Sequence, residues 1–392
     1  MSQRPTVKRD FSIGNPTVRA WFYQIVAIVA VFTVAGYLIH NTVINLANRG
    51  ITSGFGFLER NAGFGIVQHL IDYTEGDTYA RVFLVGLTNT LLVSALCIVF
   101  ASILGFFIGL ARLSDNWLLR KLSTIYIETF RNIPPLLQIF FWYFAVLRNL
   151  PGPRQALSAF DLIFVSNRGL YIPWPTSAPG SWPFVIALAL AIAGSVGLLK
   201  FNRKHQLRTG QLRRTWPFAV AMFIVFPLIA HLLFGVAAHW DIPQLRGFNF
   251  RGGFVMIPEL ASLTLALSIY TSSFIAEVIR SGIQSVPSGQ NEAARSLGLP
   301  NPVTMRQVII PQAMRVIIPP LTSQYLNIVK NSSLAAAIGY PDMVSLFAGT
   351  VLNQTGQAIE TIAITMAVYL SISLIISLLM NLYNRKIALV ER

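Results

Sequence analysis

Glu128 and Arg131, Glu277 and Arg280, and Lys330 are charged residues set in or beside long apolar stretches. Each Glu precedes its Arg by three residues, the spacing at which two side chains meet on one helix face. Such a pair satisfies two charges that lipid would otherwise penalise, and it can equally serve as a gate or contact surface. Lys330 lies ten residues after Pro320, about 15 Å along a helix. Ser332 and Ser333 follow it, and Gln138, Gln324 and Asn327 lie in the same kind of apolar context. A cation, an acid and hydrogen-bonding groups are what a passage for a zwitterion would use. The plainer uses are also open. Lys330 can snorkel or pair with a Glu from another segment, and the amides and hydroxyls can join helices.

Catalytic constellations are missing. No Gly-x-x-x-x-Gly-Lys-Ser/Thr loop is present to cradle a phosphate, and neither His-Glu-x-x-His nor Gly-x-Ser-x-Gly occurs. The histidines at 40, 69, 205, 231 and 239 are scattered without ligand spacing, and Cys97 is the only cysteine. The chain is therefore expected to bind no metal, to form no disulfide and not to be an enzyme.

Ser288–Pro311 is a polar stretch between two apolar ones. Ser288 is the expected N-cap of a short helix, with Glu292 in the first turn, near the positive end of the helix dipole. Gly298 and Pro300 form a stop signal, after which Asn301-Pro302 opens a second helix with Asn as cap and Pro in first position. A helix of about nine residues is too short to stand alone in water. Ala293, Ala294 and Leu297 give it a small apolar face for docking; the bland alternative is an ordinary surface hairpin.

Elements that could hold these groups follow from composition. Hydrophobic residues make up 54 % of the 392 and charged ones 11 %, where a soluble domain carries about a quarter charged. Apolar runs at 21–39, 82–111, 122–147, 182–199, 216–238, 258–279, 316–337 and 358–383 are long enough to span a bilayer. The expected fold is all-α integral membrane with about eight transmembrane helices. Pro134-Pro135 and Pro319-Pro320 are expected to interrupt their helices. The first run lacks a convincing cleavage site and is taken as an uncleaved anchor. With the N-terminus inside, twenty Lys and Arg fall in cytoplasmic segments and eight in external ones. Both termini and Ser288–Pro311 are thus placed in the cytoplasm, and 40–79 and 151–183 outside. The net charge of +15 then marks the cytoplasmic face, including the basic run Lys200–Arg214, and does not point to nucleic acid.

The hairpin resembles the coupling loop of bacterial ATP-binding-cassette importer permeases, whose pattern is Glu-Ala-Ala, Gly six residues after the Glu, then Ile-x-Leu-Pro. Glu292, Ala293, Ala294, Gly298 and Pro311 match; Val308 and Ile310 stand where the family has Ile and Leu. Thr88-Asn89-Thr90-Leu91, Glu128–Gln138, Glu277–Ile283 and Lys330–Leu334 resemble the polar amino-acid uptake branch of that family. The layout resembles the longer permease subunits of general L-amino-acid import systems.

This resemblance implies a five-helix core made by 81–147 and 258–392, with the coupling loop at 285–311. An N-terminal tail, extra helix and periplasmic loop (1–80) and an insertion with two further helices (148–257) are added to it. It implies that Gly289, Gln290, Glu292, Ala293, Ala294, Leu297 and Gly298 meet an ATPase subunit. A second permease, identical or paralogous, completes the pore, and a periplasmic amino-acid-binding protein delivers substrate. ATP is used by the partner, and no cofactor is bound by this chain. The expected site is the bacterial inner membrane, and the expected substrate pathway uses Lys330, Ser332, Ser333, Glu128, Arg131 and Gln138. An ion-gradient-driven secondary transporter is the alternative, since it too breaks helices and buries charge at midplane. A membrane interaction protein with no transport role is a further one.

Overall fold

The computed structural model describes residues 16–48, 54–175, 182–209, 215–234 and 240–387. Arg4, Lys8, Arg9, Arg49, Arg213, Arg214 and Arg392, which entered the charge count, lie outside the described residues. The helices are α1 (Pro16–Asn48), α2 (Tyr79–Arg112), α3 (Trp117–Asn132), α4 (Pro135–Phe140), α5 (Trp182–Thr209) and α6 (Trp216–Phe234). After them come α7 (Pro258–Gln284), α8 (Ser288–Ser296), α9 (Asn301–Thr304), α10 (Ile310–Asn331), α11 (Leu352–Thr355) and α12 (Ala358–Ile387).

Among the described residues, five helices are long and apolar enough to cross a membrane: α1, α2, α6, α7 and α12. The remaining apolar runs are built differently. Residues 122–147 do not form one helix. Ile133 is extended (φ −91°, ψ 125°) because the residue before a proline is pushed out of the helical region, so α3 stops and α4 starts afresh at Pro135. The chain then widens into π-helical turns over Phe141–Val146. Pro319 and Pro320, by contrast, do not interrupt α10, which runs unbroken from Ile310 to Asn331. The amides they lack would have bonded the carbonyls of Arg315 and Val316, and neighbouring groups can take over such carbonyls within a protein. The adjustment for a proline occurs earlier. Pro311 cannot donate to Gln307, and the helix is locally π-wound over Met305–Ile309.

The stretch between α4 and α7 is not the plain external loop and helix pair expected. β1 (Leu157–Ala159), β2 (Ile163–Ser166), β3 (Gly169–Ile172) and β8 (Phe254–Met256) make an antiparallel sheet in the order β1-β2-β3-β8. β4 (Trp174–Pro175) pairs with β5 (Trp240–Asp241), and β6 (Gln244–Arg246) with β7 (Asn249–Arg251). Strands of two to four residues are too short to show an alternating pattern, and Tyr171 pairs with Val255 more than eighty positions away. Between the strands, α5 and α6 pack on each other, with Gly194 allowing the Met222 sulfur close.

Contacts divide the chain into two units, residues 1–89 with 341–372 and residues 90–340 with 373–392. In the first, Asn89 donates to the carbonyls of Gln68 and Pro341, both at 2.9 Å, and Tyr79 donates to Gln354 at 2.8 Å. Buried Asp342 accepts from the Ser345 amide and the Tyr369 hydroxyl, and loss of solvent pushes its carboxyl up to about 6.

The second unit is organised around α7. Leu260, Leu263, Leu267 and Ile275 are fully buried and share a core with Val93, Cys97 and Ala101 of α2. A Cβ on Gly105 would lie 2.7 Å from Ile275, and one on Gly109 would lie 2.8 Å from the Ala276 carbonyl oxygen. Small residues at such crossings let backbones approach where lipid supplies no hydrophobic drive for association. Hydroxyls add cross-links: Tyr126 to Ser272 at 2.8 Å, and Tyr143 to Glu259 at 2.7 Å. Gly109→Leu should therefore force α2 off α7 and cost about 1–3 kcal/mol or more. A thermal-shift assay in mild detergent should show a lower unfolding midpoint; an unchanged midpoint would contradict the close contact.

Candidate functional site

α8 and its flanks are built almost wholly by backbone. The helix begins after Pro287, whose carbonyl accepts from the Gln290 amide at 3.0 Å, and no side chain caps it. Ser288 is thus the first helical residue and not the cap. Glu292 falls fifth, beyond the first turn, so the expected dipole contribution is not made there. Likewise Pro300 holds the cap position of α9, and Asn301 is already helical. The exit is well defined. Gly298 takes φ +70°, its amide bonds the Arg295 carbonyl at 2.9 Å, and the Leu299 amide bonds that of Ala294 at 3.1 Å. This paired closure satisfies the last carbonyls and needs a residue tolerant of positive φ.

The exposed apolar groups of α8 are fewer than expected. Ala294 is buried, leaving Ala293 and Leu297, the latter 79 % exposed. Gly289 and Glu292 are exposed too, and among the described residues Glu292 has no ion pair. Gln290 accepts from Gln312 at 3.0 Å, a bond that ties α8 to the first turn of α10.

The charges sort into unlike arrangements. Glu277 accepts from Arg280 on its own helix, with Nε at 3.0 and 3.1 Å, and also from Arg112 of α2. Arg280 in turn donates to Gln284. Arg112 was missed from sequence, because a partner 165 positions away leaves no local signal. The expected Glu128–Arg131 pair does not form. Arg131 instead lies 5.0 Å over the Phe274 ring, and Glu128 is exposed.

Lys330 stands exposed in the last turn of α10, where a cation suits the negative end of the helix dipole. Among the described residues no carboxylate lies within ion-pairing distance of it. Ser332 and Ser333 do not offer the free donors expected, because their hydroxyls bond the carbonyls of Val329 (2.8 Å) and Lys330 (2.6 Å). Gln138 is buried and donates to the carbonyls of Phe130 and Ile133, both at 3.0 Å, which closes the gap before Pro134. No hydrogen bond or ion pair joins any two of the side chains of Lys330, Glu128, Arg131 and Gln138 among the described residues. The residues predicted around α8 are contiguous in one element; those predicted for a passage are not one cluster.

Comparison with known proteins follows the same lines. A family model described as the inner membrane component of binding-protein-dependent transport systems matches residues 211–389, which contain α6 to α12 and the hairpin. The chain is 78 % identical over 390 residues to the amino-acid ABC transporter permease YhdX of Escherichia coli K12, covering 100 % of this chain and 99 % of that one. The chain belongs to the amino-acid ABC transporter permeases. AapQ of Rhizobium johnstonii, a general L-amino acid transport system permease, is 51 % identical over 96 % of this chain and 94 % of its own. BztB of Rhodobacter capsulatus, a glutamate/glutamine/aspartate/asparagine transport system permease, is 41 % identical over 97 % and 96 %. A permease of this family is a multi-pass membrane protein and not an enzyme; its ATPase is a separate subunit, and a binding protein works with it.

Gly298→Val tests the closure of α8. A β-branched residue at φ +70° costs about 1–2 kcal/mol, whereas Gly298→Asn costs less. Hydrogen exchange over 293–299 should quicken in the valine variant while α7 and α10 stay protected; equal protection in both variants would contradict the role of this turn.

Proposed function

We propose that this chain is the pore-forming permease subunit of an importer that carries polar L-amino acids across the bacterial inner membrane, and that α8 receives the motion of the ATPase. The observation that carries this is Leu297. A 79 % exposed leucine ends a nine-residue helix that its own backbone closure and the Gln290–Gln312 bond hold in place. A short helix with such a knob, fixed at both ends, suits a socket on another protein. Gly289, Glu292 and Ala293, all exposed on the same helix, complete the contact in this reading.

The Lys/Arg asymmetry supports cytoplasmic termini and a cytoplasmic α8. The permease core is then 81–147 with 258–392, and 148–257 is an insertion with two extra helices whose flanking segments, 148–175 and 240–257, lie outside. A second permease, identical or paralogous, completes the pore, and a periplasmic binding protein supplies the substrate. The chain holds no cofactor, and ATP is consumed by the partner. L-amino acids as cargo are supported by the likeness to AapQ of a general L-amino acid transport system, and polar ones by the likeness to BztB of a glutamate/glutamine/aspartate/asparagine system. Lys330, exposed and without a carboxylate partner among the described residues, is the cation left for a substrate carboxylate. Ser332 and Ser333 would then act only as acceptors.

Leu297→Glu tests the reading. The variant should insert normally but lose at least tenfold in co-purified ATPase, and ATP-driven uptake in vesicles should cease. Undiminished ATPase binding, or uptake driven by an ion gradient without ATP, would contradict it; the second result would favour a secondary transporter.

A further inference from the structure

The short strands between α4 and α7 end in two hairpin tips, and each presents a phenylalanine. β1 and β2 are joined through Phe160 and Asp161, and β6 and β7 through Gly247 and Phe248. Phe160 is 93 % exposed and Phe248 74 %. Gly247 takes its φ of +67° without steric penalty, but Phe160 and Asp161 sit at +55° and +52°. Among the described residues they are the only non-glycine residues at positive φ. Hairpin turns favour Gly, Asn or Asp at such positions, so Phe160 is the outlier, and strain of this kind concentrates where a side chain has to be presented.

The surface around the tips has an unusual composition. Residues 148–175 and 240–257 contain five exposed arginines (Arg148, Arg154, Arg168, Arg246 and Arg251) and no lysine. None of the five forms an ion pair among the described residues. Of the two acids there, Asp241 is engaged by the Gly253 amide at 2.9 Å. Arg154 lies 4.8 Å over the Phe248 ring and lines a cleft of about 480 Å³ together with Asp161, Phe164, Leu245 and Phe250. Arginine and aromatic residues with lysine excluded is the composition of protein–protein contact surfaces. The charge excess calls for an acidic occupant, and a fluid headgroup layer would need neither a strained tip nor a cleft.

We propose that this arginine–phenylalanine face docks the soluble binding protein that loads the importer, with Phe160 as the apolar anchor and Arg154 as the seat of a surface carboxylate. The proposal rests on the importer reading and on the external placement of 148–175 and 240–257.

The test uses the complete transporter in lipid nanodiscs, with its ATPase rate titrated against the binding protein. Phe160→Gly relaxes the turn, so it should fold at least as well as the natural chain. Phe160→Gly and Arg154→Glu should each raise the half-stimulating concentration of binding protein at least tenfold, with the basal ATPase rate unchanged. Added salt should raise that concentration for the unaltered transporter. An unchanged half-stimulating concentration in both variants overturns the docking proposal and leaves the importer reading intact. An unaltered transporter with no binding-protein response overturns the importer reading itself. In Phe160→Cys, the thiol should react with an impermeant maleimide from outside the cell and be shielded by binding protein. Labelling only after the membrane is opened overturns the sidedness. A fluorophore there that is quenched by headgroup-level nitroxide lipids and unaffected by binding protein assigns the face to the bilayer, and also overturns the proposal.

Discussion

The close crossing of α2 and α7 at Gly105 and Gly109 is the contact on which the second unit depends. A side chain at either glycine would sit within 2.8 Å of Ile275 or Ala276. Lipid chains are as apolar as leucine, so helices are not driven together by the hydrophobic effect and must gain from close packing and hydrogen bonds. The glycines permit that packing. They also bring Arg112 to Glu277, so that a charge pair and a van der Waals seam hold the same two helices. A carboxylate shared by Arg112 and Arg280 is satisfied where a lone one would be costly.

The same helix leads directly to the α8–α9 hairpin. α7 ends at Gln284, and only Ser285, Val286 and Pro287 separate it from α8. On the other side, the Gln290–Gln312 bond and the close contact of Gly282 with Ile317 join this corner to α10. α8 is therefore joined to two helices that pack on each other, α7 through a three-residue link and α10 through a side-chain bond.

Local signals survived from sequence to structure, and long-range ones did not exist to be read. Gly298 marks its own turn, since only a residue at ease with positive φ closes a helix this way. Membrane character is a property of composition. Cap positions slipped by one residue at Ser288 and Asn301, because the chain uses Pro287 and Pro300 to start both helices. Spacing alone proposed Glu128–Arg131, but the structure gives Arg131 an aromatic face on α7 instead. The Arg112–Glu277 pair and the β3–β8 pairing join positions far apart in the chain and have no periodic signature. Tandem prolines were read as a break in both places. The break forms at Pro134, and α10 passes through Pro319 and Pro320.

A photoreactive amino acid at position 297, in the whole complex within native membranes, tests the central claim most directly. The account predicts a crosslink to the ATPase subunit whose yield changes between nucleotide-free and ATP-bound states. A crosslink only to lipid or to this chain itself, unchanged by nucleotide, would contradict it.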